Sequence, residues 1–346
     1  MSIVSHLEDL ADHTTLRVGG IADRVVVAQT QQEIIDTVIE ADTSETPLLV
    51  LGGGSNVVIA DDGWRGTVLL IRTQGISVTA DACSGAFVTV EAGHNWDDFV
   101  AHAVEHEWSG IEALSGIPGS VGATPIQNVG AYGQDVSQTI ANVRTYDRTN
   151  GRITTFYFAD CKFGYRDSIF KQNPGRYVIL DVSFQLRLDH HSQPLMYPEL
   201  AKKLNVEVGK RSYSREVRAA VLELRGSKGM VLNPVDHDTW SVGSFFTNPI
   251  VTAEFADRHA TVGPRWQQPD GTVKLSAAWL IENSGLPKGF SLNERASLST
   301  KHTLAVTNRG DATASDVLEL ARHVQFTVET KFGIKLELEP NLVGNF

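Results

Sequence analysis

Residues 110–135 read GIEALSGIPGSVGATPIQNVGAYGQD, and this stretch decides how the rest of the chain is interpreted. Its glycines interrupt any helical or strand period, while Pro118 and Pro125 fix φ locally and remove two N–H donors. A backbone with so few side chains can bend close to an anion, because adjacent N–H groups in left-handed turns form a phosphate-binding concavity. Taken alone, the stretch is explained equally well as a long structural loop.

A second glycine turn comes earlier in the chain, where residues 51–56 read LGGGSN between the apolar runs 47–50 and 57–59. This arrangement predicts strand, turn, strand. A Rossmann turn would need Gly-x-Gly-x-x-Gly opening a helix, but residue 57 is valine and β-branched residues follow it. The sequence also lacks the Gly-x-x-x-x-Gly-Lys-Ser/Thr of a P-loop. Two glycine turns outside both motifs favour an anion-binding site of another kind.

The composition limits the function classes. A chain of 346 residues exceeds one comfortable core, so two or three domains are expected. Its net charge of −11, from 30 Lys+Arg against 41 Asp+Glu, argues against binding nucleic acid. Cys83 and Cys161 are the two cysteines, and their wide separation favours a reducing cytosol over a disulfide framework or a metal site. Neither is expected to be a nucleophile.

The N-terminus has no basic segment followed by an apolar one. No run in the sequence approaches the roughly 20 apolar residues that a membrane helix needs. We therefore expect a soluble, cytoplasmic protein with no membrane partner.

Apolar periodicity predicts an α+β chain. Helices are expected at 31–41, 96–106, 215–225, 276–283 and 315–332, with Gly333 as a left-handed cap after the last one. Strands are expected at 16–20, 22–28, within 67–90, and at 139–146, 152–158, 176–188, 303–308 and 334–339. The predicted domains are 14–190 and 215–346, and the polar, proline-containing residues 191–214 are an inter-domain excursion.

One metal motif can be set aside. Residues 102–106 read HAVEH, which matches the His-x-x-Glu-His of inverted zinc peptidases. The flanking residues run directly into the glycine-rich stretch, and the sequence offers no third ligand. A solvated helix face explains the match, and no metal is expected.

Several motifs taken together carry a resemblance. They are PLLVLGGGSNVVI at 47–59, GIPGSVGATPIQNVGAYG at 116–133, GYRDS at 164–168, GSFFTNP at 243–249 and Gly-Ile-x-Leu-x-x-Glu at 333–339. In this order and over nearly the whole chain, they resemble the UDP-N-acetylenolpyruvoylglucosamine reductase family. The resemblance implies an FAD-binding domain of the vanillyl-alcohol-oxidase type at 14–190 and a smaller α+β substrate-binding domain at 215–346.

The resemblance also implies a cofactor, a reaction and a cofactor site. The cofactor is FAD, NADPH is the co-substrate, and UDP-N-acetylglucosamine enolpyruvate is reduced to UDP-N-acetylmuramate in peptidoglycan precursor synthesis. The enzyme is expected to be a monomer or a weak oligomer. The implied FAD-binding residues are Gly52, Gly53, Gly54, Ser55, Asn56, Pro118, Gly119, Ser120, Gly122, Ala123, Gln127, Asn128, Gly130 and Tyr132.

Three residues match the family's catalytic positions. A guanidinium suits a planar enolate or carboxylate, so Arg166 is expected to hold the charge that develops on the substrate, together with Glu339. Ser244 is expected to protonate C2, because a weak acid suffices for so basic a centre. Glu337 shares the polar face of the predicted last strand, and only the family spacing favours Glu339. The implied substrate-binding residues are Tyr197, Lys228, Asn248, Lys288 and His302, with Tyr197 typical of the subgroup that closes a tyrosine-bearing loop.

Two alternatives stay open at this point. Another flavin oxidase or dehydrogenase of the same fold would keep the glycine loops, but it gives no reason for residues 243–246 or the terminal glutamate pattern. A non-enzymatic nucleotide-sugar-binding protein would keep the cations of the second half, but it would not need two anion-binding loops in the first. Flavin absorbance of the purified protein separates the second alternative from the enzyme.

Overall fold

The structure is a computed structural model that describes residues 3–81, 85–259 and 262–346. Its helices are α1 (Gln31–Thr43), α2 (Trp96–Glu105), α3 (Ile169–Gln172), α4 (Pro198–Lys203), α5 (Ser214–Ser227), α6 (Ala253–His259), α7 (Ala277–Asn283) and α8 (Ala314–Phe332). None of the helices in the described ranges is long and apolar enough to cross a membrane.

The strands are short except in one sheet. They are β1 (Ile3–Asp9), β2 (Ile21–Ala28), β3 (Leu48–Leu51), β4 (Val57–Ile59), β5 (Trp64–Ile71), β6 (Ile76–Asp81), β7 (Gly85–Glu91), β8 (Trp108–Ser109), β9 (Gly130–Ala131), β10 (Gln134–Asp135), β11 (Ile140–Asp147), β12 (Arg152–Tyr157), β13 (Tyr177–Leu188), β14 (Ile250–Val251), β15 (Arg265–Gln267), β16 (Val273–Leu275), β17 (Ala296–Leu298), β18 (Val306–Asn308) and β19 (Asn341–Val343). The mixture of helices and strands confirms the α+β expectation.

The chain divides into two compact units, each built from separate stretches of sequence. The first unit contains the residues up to Glu8 together with Ala22–Gly53 and Trp64–Gly226. The second contains Asp9–Ile21, Gly54–Gly63 and Ser227–Phe346. The units are therefore discontinuous, whereas the sequence predicts contiguous domains, and residues 191–214 belong to the first unit.

A mainly parallel sheet in the first unit carries the first glycine turn. Its strand order is β1-β2-β5-β3, and β2, β5 and β3 run parallel. The crossover helix α1 begins in a capping box, in which Thr30 accepts from the Glu33 N–H and Glu33 accepts from the Thr30 N–H. Because Leu51 pairs with Leu70, β3 and β5 end at the same edge. The glycine turn therefore starts at the carboxyl edge of the sheet, where α/β proteins bind ligands.

A second sheet in this unit supports the second glycine loop. It is antiparallel in the order β12-β11-β13-β7-β6, with β8 pairing the end of β13. Helix α2 covers one face, and its fully buried Trp96 and Phe99 pack against Phe184 with ring centroids 6.0 and 5.0 Å away. The opposite face of β13 is also buried, and Asp181 there accepts from Arg144 Nε at 2.7 Å. Both faces of the longest strand are thus fixed.

The second unit has its own core around α8. The five apolar residues predicted to share one face of this helix are all buried, and Gly333 follows it in the left-handed conformation with φ 66°. Both features confirm the sequence prediction. The core-facing residues of the helix are Val317, Leu320, Ala321, Val324 and Val328. Small sheets surround it, namely β14-β16-β15, β17-β18 and the parallel pair β19-β4.

Some local predictions are wrong. Residues 16–20 form no strand, because side chains bind their carbonyls: Asn308 Nδ2 donates to Leu16 and Arg17, at 3.1 and 2.9 Å. Residues Ile3–Asp9 form a strand that was not predicted, because most of their side chains are exposed and give no apolar pattern. The polar stretch 191–214 contains α4. The predicted strand at 334–339 is extended chain with one isolated bridge between Phe246 and Leu338, and the last strand comes later, at Asn341–Val343.

A distant carboxylate caps α8. Asp61 accepts from the N–H groups of Ala314 and Ser315, at 2.7 and 3.0 Å, and from the Ser315 hydroxyl at 2.6 Å. These amides lie in the first turn of the helix, where no intrahelical acceptor exists, and the helix dipole favours a negative charge there. Asp61 therefore ties the segment Gly54–Gly63 to the C-terminal helix of its unit.

We expect Asp61→Ala to lower the free energy of unfolding of the second unit by about 1 kcal/mol, the usual effect of losing a cap. Urea titration followed by circular dichroism measures this change. The matched control is Asp62→Ala, which removes the adjacent exposed carboxylate and should cost less than about 0.5 kcal/mol. Equal losses in the two variants would contradict the capping role.

Candidate functional site

The two glycine loops of the first unit meet each other. A Cβ placed on Gly53 would lie 2.6 Å from Cα of Gly119, and a Cβ on Gly52 would lie 2.2 Å from Oγ of Ser120. Both distances are too short for real atoms, and at Gly53 the obstacle is backbone, so this contact requires glycine at that position. Gly119 itself has φ 122°, which side chains disfavour. The loops pair because their backbones have no side chains between them.

The second loop is held by the start of α2 and the chain just before it. Trp96 N–H donates to the Gly119 carbonyl at 3.1 Å, and the Val121 N–H donates to the His94 carbonyl at 2.9 Å. One turn earlier, the Gly116 N–H donates to Asp97 Oδ1 at 2.6 Å. These bonds fix the loop on both sides of Pro118.

Asp97 is itself fixed by a charge pair. Arg218 of α5 binds it through two nitrogens, at 2.6 and 2.9 Å. Burial alone would raise the pKa of Asp97, but the Arg218 guanidinium and the Gly116 N–H outweigh it and hold the pKa below its usual range. Asp97 is therefore ionised near neutral pH and anchors the loop to α5.

The meeting point of the loops presents donors without acceptors. The backbone N–H groups of Gly53, Gly119 and Ser120 donate to no atom of the described residues. Unpaired N–H groups on a tight glycine backbone attract an anion such as phosphate. The arrangement therefore fits the pyrophosphate of a dinucleotide, which supports the FAD-binding interpretation on geometry as well as on sequence.

Arg166 lies against the same loop farther along. Its Nη2 donates to the Gly130 carbonyl at 2.8 Å, and its backbone adopts φ 55°, which is unusual for arginine. Asn128 donates to the Gly164 carbonyl at 3.0 Å and accepts from the Ser137 N–H at 3.1 Å. The structure therefore brings Arg166 together with Asn128 and Gly130, three of the predicted site residues.

Tyr132 and Tyr197 form a second group in this unit. Their rings meet edge to face, with centroids 5.3 Å apart, and Tyr197 lies at the N-cap of α4. Burial raises the pKa of Tyr132 to about 12. Its phenol is thus a neutral hydrogen-bond donor across the physiological range.

In the second unit, hydrogen bonds between backbones bring Ser244 and Glu339 into one neighbourhood. Phe245, which follows Ser244, donates to the Leu304 carbonyl at 2.7 Å and accepts from the Glu339 N–H at 3.0 Å. Asn56 Nδ2 donates to the Glu339 carbonyl at 3.4 Å. A Cβ added at Gly243 would meet no described atom within 4 Å, so the backbone beside Ser244 is open to a ligand.

The structure separates the two candidate glutamates by exposure. Glu337 is exposed, whereas Glu339 is half-buried and stands beside Phe245 through the backbone bond just described. A half-buried carboxylate holds a fixed position better than an exposed one. The geometry therefore favours Glu339, which agrees with the family spacing.

The other predicted substrate residues are more scattered. Asn248 uses its Oδ1 to accept from the Ala277 N–H at 2.9 Å, so its carbonyl helps to cap α7. His302 is half-buried, and its N–H donates to Ser299 Oγ at 3.1 Å. Lys228 is half-buried. Lys288 is exposed, and it makes no hydrogen bond or ion pair with any residue in the described ranges.

The structure also locates the histidines and the cysteine that the sequence analysis set aside. His102 and His106 stack with ring centroids 4.0 Å apart on the surface of α2. Across the described ranges, potential metal ligands come together in a group of three or more at Asp189, His190 and His191, where Arg211 already pairs with the aspartate. Burial raises the pKa of the Cys161 thiol to about 12, which makes a poor nucleophile, and Cys83 lies outside the described residues.

Sequence reasoning missed Asp97 and Arg72. Asp97 lies on a helix face that reads as ordinary solvent-exposed surface. Arg72 directly follows β5, and its Nη1 donates to the Gly52 and Ile71 carbonyls at 2.8 and 2.9 Å. The signal that could have identified Arg72 is its place at the end of a strand parallel to the one that enters the glycine turn.

The raised pKa of Tyr132 predicts a loss of stability at alkaline pH. Its ordinary value is 10.0 and its folded value about 12, so unfolding releases a proton in this window and stability falls as the pH rises from 10 to 12. Tyr132→Phe removes that proton, and its urea midpoint should fall less steeply there. Between pH 7 and 9 the urea midpoints of the two proteins should change with pH in parallel. Identical slopes above pH 10 would contradict the assignment.

Comparison with known proteins supplies independent evidence. A family profile described as an FAD binding domain matches residues 22–157, and one described as the C-terminal domain of UDP-N-acetylenolpyruvoylglucosamine reductase matches residues 233–343. The chain is 54% identical over 337 residues to the UDP-N-acetylenolpyruvoylglucosamine reductase of Cutibacterium acnes, covering 97% of this chain and 89% of that protein. It is 52% identical over 345 residues to the enzyme of the same name from Thermobifida fusca, covering 97% and 96%.

A solved structure agrees. The crystal structure of UDP-N-acetylenolpyruvylglucosamine reductase from Thermus caldophilus matches with a TM-score of 0.66 and 26% identity, and the match covers 99% of both chains. Similarity on this scale covers both compact units in their full sequence order. The chain therefore belongs to the UDP-N-acetylenolpyruvoylglucosamine reductase family.

Proposed function

We propose that this protein reduces UDP-N-acetylglucosamine enolpyruvate to UDP-N-acetylmuramate, with bound FAD and with NADPH as the reductant. The observation that carries the proposal is identity above 50% to reductases of this name over 97% of the chain. The geometry within each unit agrees: the first has an anion-binding backbone, and in the second the Glu339 N–H bonds to the carbonyl of Phe245, the neighbour of Ser244.

FAD, when bound, would supply the hydride-transfer chemistry between NADPH and the vinyl group of the substrate. The protein binds its pyrophosphate where the two glycine loops meet, and the unpaired N–H groups of Gly53, Gly119 and Ser120 support this placement. The full proposed set for FAD is Gly52, Gly53, Gly54, Ser55, Asn56, Pro118, Gly119, Ser120, Gly122, Ala123, Gln127, Asn128, Gly130 and Tyr132.

The catalytic residues have two tasks, stabilising negative charge on the substrate and donating a proton to it. Arg166 and Glu339 stabilise the charge that develops on the substrate's carboxylate end, for which a planar guanidinium is well suited. Ser244 gives its proton to C2, the carbon next to the one that receives hydride. The open backbone at Gly243 supports this role, since it leaves room for a substrate beside the hydroxyl.

The remaining proposed residues meet the anionic groups of a nucleotide sugar. They must attract these groups at short range, because the net charge of −11 repels a diphosphate at long range. The proposed set is Tyr197, Lys228, Asn248, Lys288 and His302. Tyr197 is supported by its edge-to-face contact with Tyr132, which connects its loop to the proposed FAD-binding set.

We extend the proposal to the cellular role of the enzyme. The product is a precursor of peptidoglycan, so the enzyme would act in the cytoplasm and contribute to cell-wall synthesis, cell shape and division. We propose a monomer or a weak oligomer, with no nucleic acid or membrane partner.

Anaerobic mixing tests the activity. The purified protein should be yellow, NADPH should bleach its flavin, and the enolpyruvyl nucleotide should restore the colour with formation of one UDP-N-acetylmuramate for each NADPH consumed. A colourless protein that binds the nucleotide would support a nucleotide-sugar-binding protein instead. Bleaching without recovery on adding the substrate would support a different flavin oxidoreductase.

The contact between the loops predicts the effect of a single methyl group. We expect Gly53→Ala to weaken FAD binding about tenfold or more, because the new Cβ would lie 2.6 Å from Gly119 and force the loops apart at a cost of about 1–3 kcal/mol. Flavin content after purification and FAD titration of the apoprotein measure the loss. The control is Gly226→Ala in α5, where a Cβ meets no described atom within 4 Å. Wild-type FAD affinity in Gly53→Ala would place the pyrophosphate elsewhere.

A proton donor to the substrate should matter in only one half of the reaction. We expect Ser244→Ala to be reduced by NADPH at a near-normal rate, while its reoxidation by the enolpyruvyl nucleotide slows by about 10²–10⁴, the usual contribution of a positioned acid. Ser244→Cys keeps a proton of similar position and should recover part of the rate. Stopped-flow absorbance measures each half separately. Equal slowing of both halves would indicate a structural role for Ser244.

A further inference from the structure

Arg72 occupies an unusual place in the first unit. Its backbone N–H donates to the Ala28 carbonyl of β2, and its side chain reaches the Gly52 carbonyl at the start of the first glycine turn. Its Nη1 bonds to the Gly52 and Ile71 carbonyls, whose strands end together at this edge of the sheet. The guanidinium is therefore anchored at the base of the turn.

Arg72 also touches the segment that fixes the second loop. A Cβ on Gly93 would lie 2.8 Å from Arg72 Cα, so the two backbones are in close contact there. The next residue, His94, accepts from the Val121 N–H of the second loop. Arg72 thus contacts both the first glycine turn, at Gly52, and the segment at Gly93–His94 that holds the second glycine loop.

The charge of Arg72 has no partner of opposite sign. No carboxylate in the described ranges forms an ion pair with Arg72, and burial lowers the pKa of its guanidinium. Five other half-buried arginines of this unit each pair with a carboxylate. These pairs are Arg24–Glu40, Arg144–Asp181, Arg148–Asp42, Arg176–Asp147 and Arg218–Asp97.

The side chain keeps free donors. Carbonyls occupy Nη1, but Nε and Nη2 donate to no described atom, and neither is sealed in the interior. A partly desolvated cation with unused N–H groups is stabilised by an anion that reaches it, and a guanidinium can bind two phosphate oxygens at once. The unpaired N–H of Gly53 belongs to the same peptide group whose carbonyl accepts from Arg72 Nη1.

We propose that Arg72 is a phosphate-binding residue that pairs with the pyrophosphate of FAD. This assignment rests on the proposed function, because it takes FAD as the ligand of the glycine loops. Arg72 provides the positive charge that backbone amides lack, and its bonds to Gly52 and Ile71 hold it in position before the cofactor arrives.

The alternative is a purely structural clip, and salt dependence separates the two. Apoprotein of Arg72→Gln should bind FAD about 10- to 100-fold more weakly at low salt, the usual effect of losing a charged hydrogen bond. Its affinity should also vary less with KCl than the wild-type affinity does, because one fewer charge contacts the phosphates. FAD fluorescence quenching, measured at about 50 and about 300 mM KCl, reports both effects, because the screening of charges by salt differs strongly between these two concentrations.

Controls keep the assignment falsifiable. Arg65→Gln removes an exposed arginine from β5, the strand that precedes Arg72; Arg65 pairs with Asp23, and its loss should change neither quantity. Arg72→Lys keeps the charge but loses the planar fork, so it should bind FAD more weakly than wild type with the wild-type salt dependence. If Arg72→Gln does not fold, this variant decides, and wild-type affinity at both salt concentrations would overturn the pairing.

The outcomes also separate this assignment from the proposed function. Unchanged FAD affinity in Arg72→Gln, or a loss that leaves the salt dependence unchanged, would overturn the assignment alone. Wild-type apoprotein that binds no FAD would overturn the assignment and the proposed function together.

Discussion

The contact between Gly53 and Gly119 is the constraint on which the rest of the first unit depends. The two backbones approach this closely because Gly53 carries no Cβ, and other elements hold each backbone in place. The parallel ladder of β3 and β5 holds one side, and the N-terminal end of α2 holds the other. The sheets and helices of this unit therefore serve to keep two short loops in contact.

The charged side chains of the first unit fall into two groups, those that connect elements and those proposed to bind a ligand. Most half-buried arginines of the first unit pair with carboxylates and connect elements, as Arg144 does between β11 and β13 and Arg218 does between α5 and α2. Such pairs set positions but leave no charge for a ligand. The proposed phosphate-binding charge of Arg72 lies where backbone carbonyls hold its guanidinium, at Gly52 and Ile71. A carbonyl orients a guanidinium without neutralising it, so the cation remains able to attract an anion in an acidic protein.

The sequence predicted the elements whose signals are local. Helices α1 and α8 have apolar residues at helical spacing, and Gly333 follows α8 as a left-handed cap. The strand-turn-strand around residues 51–56 was predicted for the same reason. Residues 16–20 were assigned wrongly because their carbonyls are bound by Asn308, which is almost 300 residues away, and no local pattern reveals such a partner. Arg72 was missed for a related reason, since its role depends on which strands end side by side.

The candidate site shows the same division between local and distant information. The motifs named Arg166, Ser244 and both glutamates, but the structure is needed to show that Glu337 is exposed whereas Glu339 is half-buried and bonds to the Phe245 backbone. The most direct test of the account is a crystal structure of the FAD-bound protein. The account predicts pyrophosphate oxygens about 3 Å from the N–H groups of Gly53 and Gly119. A pyrophosphate bound away from both glycine loops would contradict it.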